Sequence, residues 1–203
     1  MATTFDPSMV GSVLSSAARD PLGLTLALTA YAAAFVVRAE LWRRVLPRLS
    51  FGQALAAIHV ALAGNHLLPL RLGEPLRIVS VVRRARIPAA EATASTLLLR
   101  SADVLAVVAL AALLGPRLAE RLIGAAAFPL AVAAAALLVV AGVWLSRRLR
   151  RSGGVGAGWL AAVVPGAAAA WLLESVLVWS CAGWAGITLS PADAALVLSL
   201  IHI

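Results

Sequence analysis

Lysine is absent from this chain, cysteine occurs once, and acids are few. The single cysteine, Cys181, excludes an internal disulfide and a cysteine-based metal centre. His59 and His66 are scattered and make no metal cluster, so no metal ligand set is expected. There is no Gly-rich nucleotide loop, no nucleophile elbow and no metal-binding spacing. No catalytic residue and no cofactor are therefore expected, and the chain reads as a translocator more than as an enzyme. Nine acids face 17 basic residues, all arginine, for a net charge of +8. Those charges flank hydrophobic segments instead of forming one basic face, which argues against nucleic acid as a partner. No basic stretch precedes an apolar core in Met1 to Asp20, so the start reads as a short polar tail and not as a cleaved signal peptide.

What is present in excess is apolar. Hydrophobic residues make up 62% of the 203 positions, and the mean hydropathy is +0.96. A soluble domain is about half apolar, and this chain has too little polar surface to cover a core. The fold class expected is all-α, a polytopic integral membrane helical bundle with a re-entrant or broken helix segment. It is read as a single transmembrane domain over 1–203. The final Leu198-Ser-Leu-Ile-His-Ile203 corresponds to a library-adaptor sequence, and the chain is expected to be truncated there.

Leu22 to Val37 is the first apolar run, extended to full span length by Ala39 to Trp42, with Trp42 placed at the interface. Arg38, Arg43, Arg44 and Arg48 form a first basic block. Ser50 and Gln53 carry a capping-box pattern that opens a helix. Gln53 to Gly64 is apolar for only about a dozen residues, too short to cross. Arg83, Arg84 and Arg86 form a second basic block. Glu91 to Leu114, Leu122 to Leu145 and Trp159 to Trp184 are further spans, the last with Pro165 as a kink. Arg147, Arg148, Arg150 and Arg151 form a third basic block. With the three blocks cytoplasmic and Arg117 and Arg121 outside, the spans alternate without conflict, provided the segment after Ser50 dips in and returns.

The polar stretch at that return is Gly64 to Arg77. It holds Asn65, His66, Pro69, Arg71, Gly73, Glu74, Pro75 and Arg77. Prolines and glycines release backbone groups that need protein or water around them at membrane depth. Arg71, Glu74 and Arg77 are spaced three apart, which on a helix gives one face. Guanidinium groups grip phosphate through parallel hydrogen bonds, and a carboxylate can hold one of them in place. Arg100 and Asp103 lie three apart about halfway along the next span. Each costs about 2.5–3.5 kcal/mol at the bilayer centre, so they should pair with each other or with the motif charges. Glu174 lies in the middle of the last span near Trp171 and Trp179, placed to counter an arginine or to bind a cationic group. The plainer alternatives are a charged interface loop for Gly64 to Arg77 and a structural ion pair for Arg100 with Asp103.

Several of these residues resemble the lysylphosphatidylglycerol synthase transmembrane-region family of flippase-like proteins. The resemblance rests on Leu41-Trp-Arg-Arg-Val-Leu, on Asn65…Pro69-Leu-Arg71-Leu-Gly73-Glu74…Arg77, on Val82-Arg-Arg and on Leu98-Leu-Arg100-Ser-Ala-Asp103. It covers about a third of the chain. Leu99 stands where family members often carry an acid, and a later P-x-x-P-G-x-x-G type segment is absent. The resemblance implies a multi-pass protein of the bacterial or archaeal inner (plasma) membrane. It implies a lipid-binding set of Asn65, Pro69, Arg71, Gly73, Glu74, Arg77, Arg100 and Asp103. Partners would be membrane lipids, an anionic phospholipid or a polyprenyl-linked lipid, with a synthase as candidate protein partner. In the aminoacyl-lipid synthases this domain moves the modified phospholipid across the bilayer while a separate soluble domain performs the transfer. The functions to weigh are a flippase-like translocator, the membrane domain of a lipid-modifying transferase, and a cell-envelope scaffold subunit.

Overall fold

The computed structural model describes residues 7–68, 72–114 and 159–201, with isolated positions between 129 and 147. Among the described residues every regular element is an α-helix and none is a strand. The helices are α1 Pro7–Arg19, α2 Pro21–Val45, α3 Phe51–Leu67, α4 Gly73–Ala85, α5 Ala89–Leu114, α6 Trp159–Trp184 and α7 Pro191–Ile201. Pro69 and Arg71, the loop arginines Arg117 and Arg121, and Arg148, Arg150 and Arg151 lie outside the described residues, as does most of the span expected over 122–145.

Among the described residues three helical stretches are long and apolar enough to cross a membrane: Pro21–Val45, Ala89–Leu110 and Ala162–Trp184. At about 1.5 Å per residue each reaches the roughly 30 Å of a hydrocarbon core. α2 begins where its sequence says it should. The Asp20 Oδ1 accepts from the Gly23 amide at 2.9 Å, and Pro21 fills the first helical position, where a missing N–H costs nothing. α2 continues past Trp42 to Val45, and the Leu46 amide closes it on the Trp42 carbonyl at 2.8 Å.

Small residues set the packing of α2 on α6. Ala27, Ala34 and Ala39 are wholly buried on α2, and a Cβ on Gly166 of α6 would lie 2.6 Å from Leu41 Cδ2. Leu41 faces Gly166 while Arg38 meets Glu174, so α2 and α6 run antiparallel. Trp42 meets Ser95 and Arg38 meets Asp103, so α2 and α5 are antiparallel too. α5 and α6 therefore share one direction, the relative sense that the arginine alternation requires. The first residues differ from expectation. Pro7–Arg19 is helical instead of a tail, with Ala17 buried, and it packs on α6 and α2.

α3 and α4 form a hairpin. The capping box at the start of α3 is made: Gln53 N–H donates to Ser50 Oγ at 3.3 Å and Ser50 N–H to Gln53 Oε1 at 3.1 Å. Gln53 Nε2 donates to the Arg84 carbonyl at 3.3 Å, which ties the start of α3 to the end of α4. The helix runs further than its apolar stretch, through Gly64, Asn65 and His66 to Leu67. Close packing explains the extension. A Cβ on Gly64 would lie 3.2 Å from the Gly73 Cα, and one on Gly73 would collide with the Ala61 carbonyl and with Asn65. The Asn65 Oδ1 accepts from the Gly73 amide at 2.9 Å, so one side chain bonds across the hairpin. Gly73→Ala should cost about 1–3 kcal/mol of stability by overpacking. It would read as a lowered thermal midpoint in detergent, and an unchanged midpoint would mean that α3 and α4 do not touch there.

The two ends of the bundle differ in charge. Arg48 pairs with Glu91 at 3.6 Å, which gathers the end of α2 and the start of α5 with the α3–α4 ends. At the other end Trp184 Nε1 donates to Asp20 Oδ2 at 3.2 Å. With Cys181 replaced, a cysteine at Thr188 should react with an impermeant thiol reagent in intact cells, while one at Ser50 should be shielded. The reverse pattern would invert the topology.

Candidate functional site

The ionisable residues of the interior gather into one chain of alternating charge: Glu174, Arg38, Asp103, Arg100, Glu74 and Arg77. Arg38 of α2 sits between two acids. Its Nε donates to Glu174 Oε1 of α6 at 2.9 Å, and its Nη1 to Asp103 Oδ1 of α5 at 2.7 Å. Its guanidinium also lies 5.3 Å from the ring centre of Trp171. Asp103 Oδ2 accepts from Arg100 Nη1 at 3.1 Å, and Arg100 Nη2 donates to Glu74 Oε1 of α4. Glu74 Oε2 then lies 3.9 Å from Arg77 Nη1, an ion pair too long to be a hydrogen bond. Three acids and three arginines on four helices balance formally to zero. The Arg100 side chain is 46% and that of Glu74 32% exposed, and burial of the other four is tolerable because each faces an opposite charge.

Arg77 is the least satisfied member. It is 7% exposed, and its Nε has no hydrogen-bond partner. Its guanidinium lies 3.9 Å from the centre of the Trp42 ring, close cation–π geometry. Trp42 is itself fully buried. Its Nε1 donates to Ser95 Oγ at 3.0 Å, and that hydroxyl donates to the Ala92 carbonyl at 2.9 Å. Trp42, expected at the membrane interface, is packed inside the protein near the end of α2. The indole sits inside because it has a polar partner at each end, a guanidinium over its face and a hydroxyl at its N–H. A cavity of about 20 Å³ lies between Arg38, Arg77, Asp103, Leu41, Leu99 and Val163. That is room for one water-sized group, so a lipid headgroup would enter only if the surrounding helices part.

Of the expected binding set, Glu74, Arg77, Arg100 and Asp103 come together directly. Asn65 and Gly73 serve the hairpin, in contact with each other. Pro69 and Arg71 fall outside the described residues. The pair Arg100–Asp103 is made, as its spacing asks. Glu174 counters an arginine, and that arginine is Arg38. Grouping Arg38 with the surface block missed its place in the cluster. The available signal was its register: Arg38 precedes Trp42 by one turn on the same face of α2. His59 Nδ1 and His66 Nδ1 lie 2.8 Å from the carbonyls of Leu55 and Leu62, on their own helix.

The model of one protein family, described as the lysylphosphatidylglycerol synthase TM region, matches residues 1–203. Neither the curated proteins nor the solved structures contain a match to the chain.

Proposed function

Because the chain belongs to the lysylphosphatidylglycerol synthase TM region family, we propose that it is a flippase-like translocator of an anionic phospholipid or polyprenyl-linked lipid. The buried charge cluster is its headgroup site, and the inner (plasma) membrane is its location. The observation that carries this reading is Arg77, a nine-tenths buried guanidinium whose Nε has no hydrogen bond and whose nearest carboxylate is 3.9 Å away. An arginine held over an indole with its Nε unbonded is suited to an oxyanion that offers two acceptor oxygens. A headgroup phosphate would take Glu74's place beside Arg77, and Glu74 would remain with Arg100. The chemistry is a change of partner at fixed arginines: the phosphate adds its negative charge to a cluster that is formally neutral without it.

The family description favours one other reading, the membrane domain of a lipid-modifying transferase. The two share the site and differ in what the isolated chain does. The test is translocation of a labelled anionic phospholipid by the purified chain in liposomes, normalised to inserted protein. Translocation by the wild type, and its loss in Arg77→Gln at equal insertion, is the expected result. A wild-type chain that binds the lipid without moving it favours the transferase reading. Wild-type translocation in Arg77→Gln removes Arg77 from the site.

A further inference from the structure

Outside that cluster, charge among the described residues concentrates at the corner where α2 ends, α3 begins, α4 ends and α5 begins. From its geometry we infer that this corner is a second binding site, for the phosphate headgroup of an anionic lipid resident in the adjoining leaflet. A groove of about 480 Å³ opens there, lined by Arg43, Arg44, Arg48, Ser50 and Phe51. Its volume is in the range of small-molecule sites. The three arginine side chains are 50%, 57% and 58% exposed.

The arginines are mounted on a fixed base. Leu46 and Leu49 beneath them are buried in the core, the Leu49 amide donates to the Leu46 carbonyl at 2.9 Å, and the capping box locks the start of α3. Gln53 bonded to the Arg84 carbonyl brings Arg83, Arg84 and Arg86 to the same end. Six guanidinium groups there face two carboxylates, Glu40 and Glu91, an excess of four positive charges. Glu40 is shared. It accepts from Arg43 Nε and Nη2 and from Arg44 Nε, which orients two guanidinium groups with one charge. Arg48 reaches Glu91 only at 3.6 Å. Among the described residues Arg83, Arg84 and Arg86 have no ion-pair partner.

Position selects the ligand. The groove begins where the 25-residue apolar helix α2 ends, so it lies at the level of lipid phosphates. Phe51, half-buried, offers an apolar edge, and the arginines offer forks to a phosphodiester. A juxtamembrane array of this size matches the basic clusters that hold anionic lipid. A soluble acidic ligand would not need the apolar edge. The inference does not depend on the translocation reading, because none of the six arginines belongs to the buried cluster.

Native mass spectrometry of the full chain, released from micelles doped with equal phosphatidylglycerol and phosphatidylcholine, tests it. The wild type should retain phosphatidylglycerol preferentially. The combined Arg43→Gln, Arg44→Gln, Arg48→Gln variant should lose roughly tenfold or more of that preference. Millimolar inorganic phosphate should leave it intact. Should the triple variant fail to fold, Arg48→Gln alone, which spares the Glu40 network, should show the same loss at smaller amplitude. Undiminished preference in a folded variant overturns the site. Displacement of the lipid by inorganic phosphate overturns the assignment to lipid.

Discussion

Replacing Arg38 with glutamine is expected to remove most of the folded protein from the membrane. One guanidinium serves two carboxylates on two helices, and all three side chains are under one-fifth exposed. Removing the cation leaves Asp103 with Arg100 still at 3.1 Å, but it leaves Glu174 with no charged partner among the described residues. Breaking a buried pair from one side costs about 3–5 kcal/mol, because the remaining charge is uncompensated. Against a total stability of about 5–15 kcal/mol that is a large share. The measurement is monodisperse protein recovered in detergent, with its thermal midpoint. Arg38→Gln combined with Glu174→Gln should recover much of the loss, because the orphaned charge is gone. Arg38→Gln with Asp103→Asn should recover less, because it leaves Glu174 charged and also takes the counter-charge from Arg100. The comparison is a double-mutant cycle, and its sign separates a keystone cation from a spectator. Recovery equal to wild type in Arg38→Gln alone would mean that the three helices hold together without it.

Much of the architecture was legible because local rules and global packing agree. Ser50 with Gln53 marked the start of α3, and the spacing of Arg100 and Asp103 predicted their pairing. The membership that the partial motif implied extends over the whole chain. The misreadings have physical causes. Gly64, Asn65 and His66 are poor helix formers, and the apolar run ends at them. The backbone stays helical because Gly64 and Gly73 let α3 and α4 approach closely, a tertiary contact that no local propensity contains. Trp42 closes an apolar run, the pattern of an interface anchor, and its burial depends on a partner distant in the chain, the Arg77 guanidinium of α4 over its face. Glu174 stands alone in an apolar segment, and Arg38 reads as the first member of a basic block. Their pairing needed the relative placement of α2 and α6, and that is set by small-residue contacts such as Ala34, Ala39 and Gly166 against Leu41, which the sequence does not pair.

Arg77→Lys should separate a fork from a charge. Lysine keeps the positive charge beside Glu74 and can remain over the Trp42 face, so insertion and thermal midpoint should change little. It lacks the planar pair of donors that meets two oxygens of a phosphate at once. Losing a hydrogen bond to a charged group costs about 1.5–3 kcal/mol. Translocation of an anionic lipid should therefore fall about ten- to hundredfold, at 1.4 kcal/mol per factor of ten. Trp42→Phe keeps a ring under Arg77 and gives up only the bond to Ser95 Oγ, so it should retain most of the rate. Trp42→Leu removes the ring and should resemble Arg77→Lys. The same lysine substitution at Arg71, which shares the motif by resemblance, asks whether a second fork takes part. Rates are taken per inserted molecule in liposomes, across a range of lipid fractions, so that weaker binding is distinguished from slower passage. If Arg77→Lys moves lipid at the wild-type rate while Arg77→Gln does not, charge alone suffices and the bidentate grip is wrong.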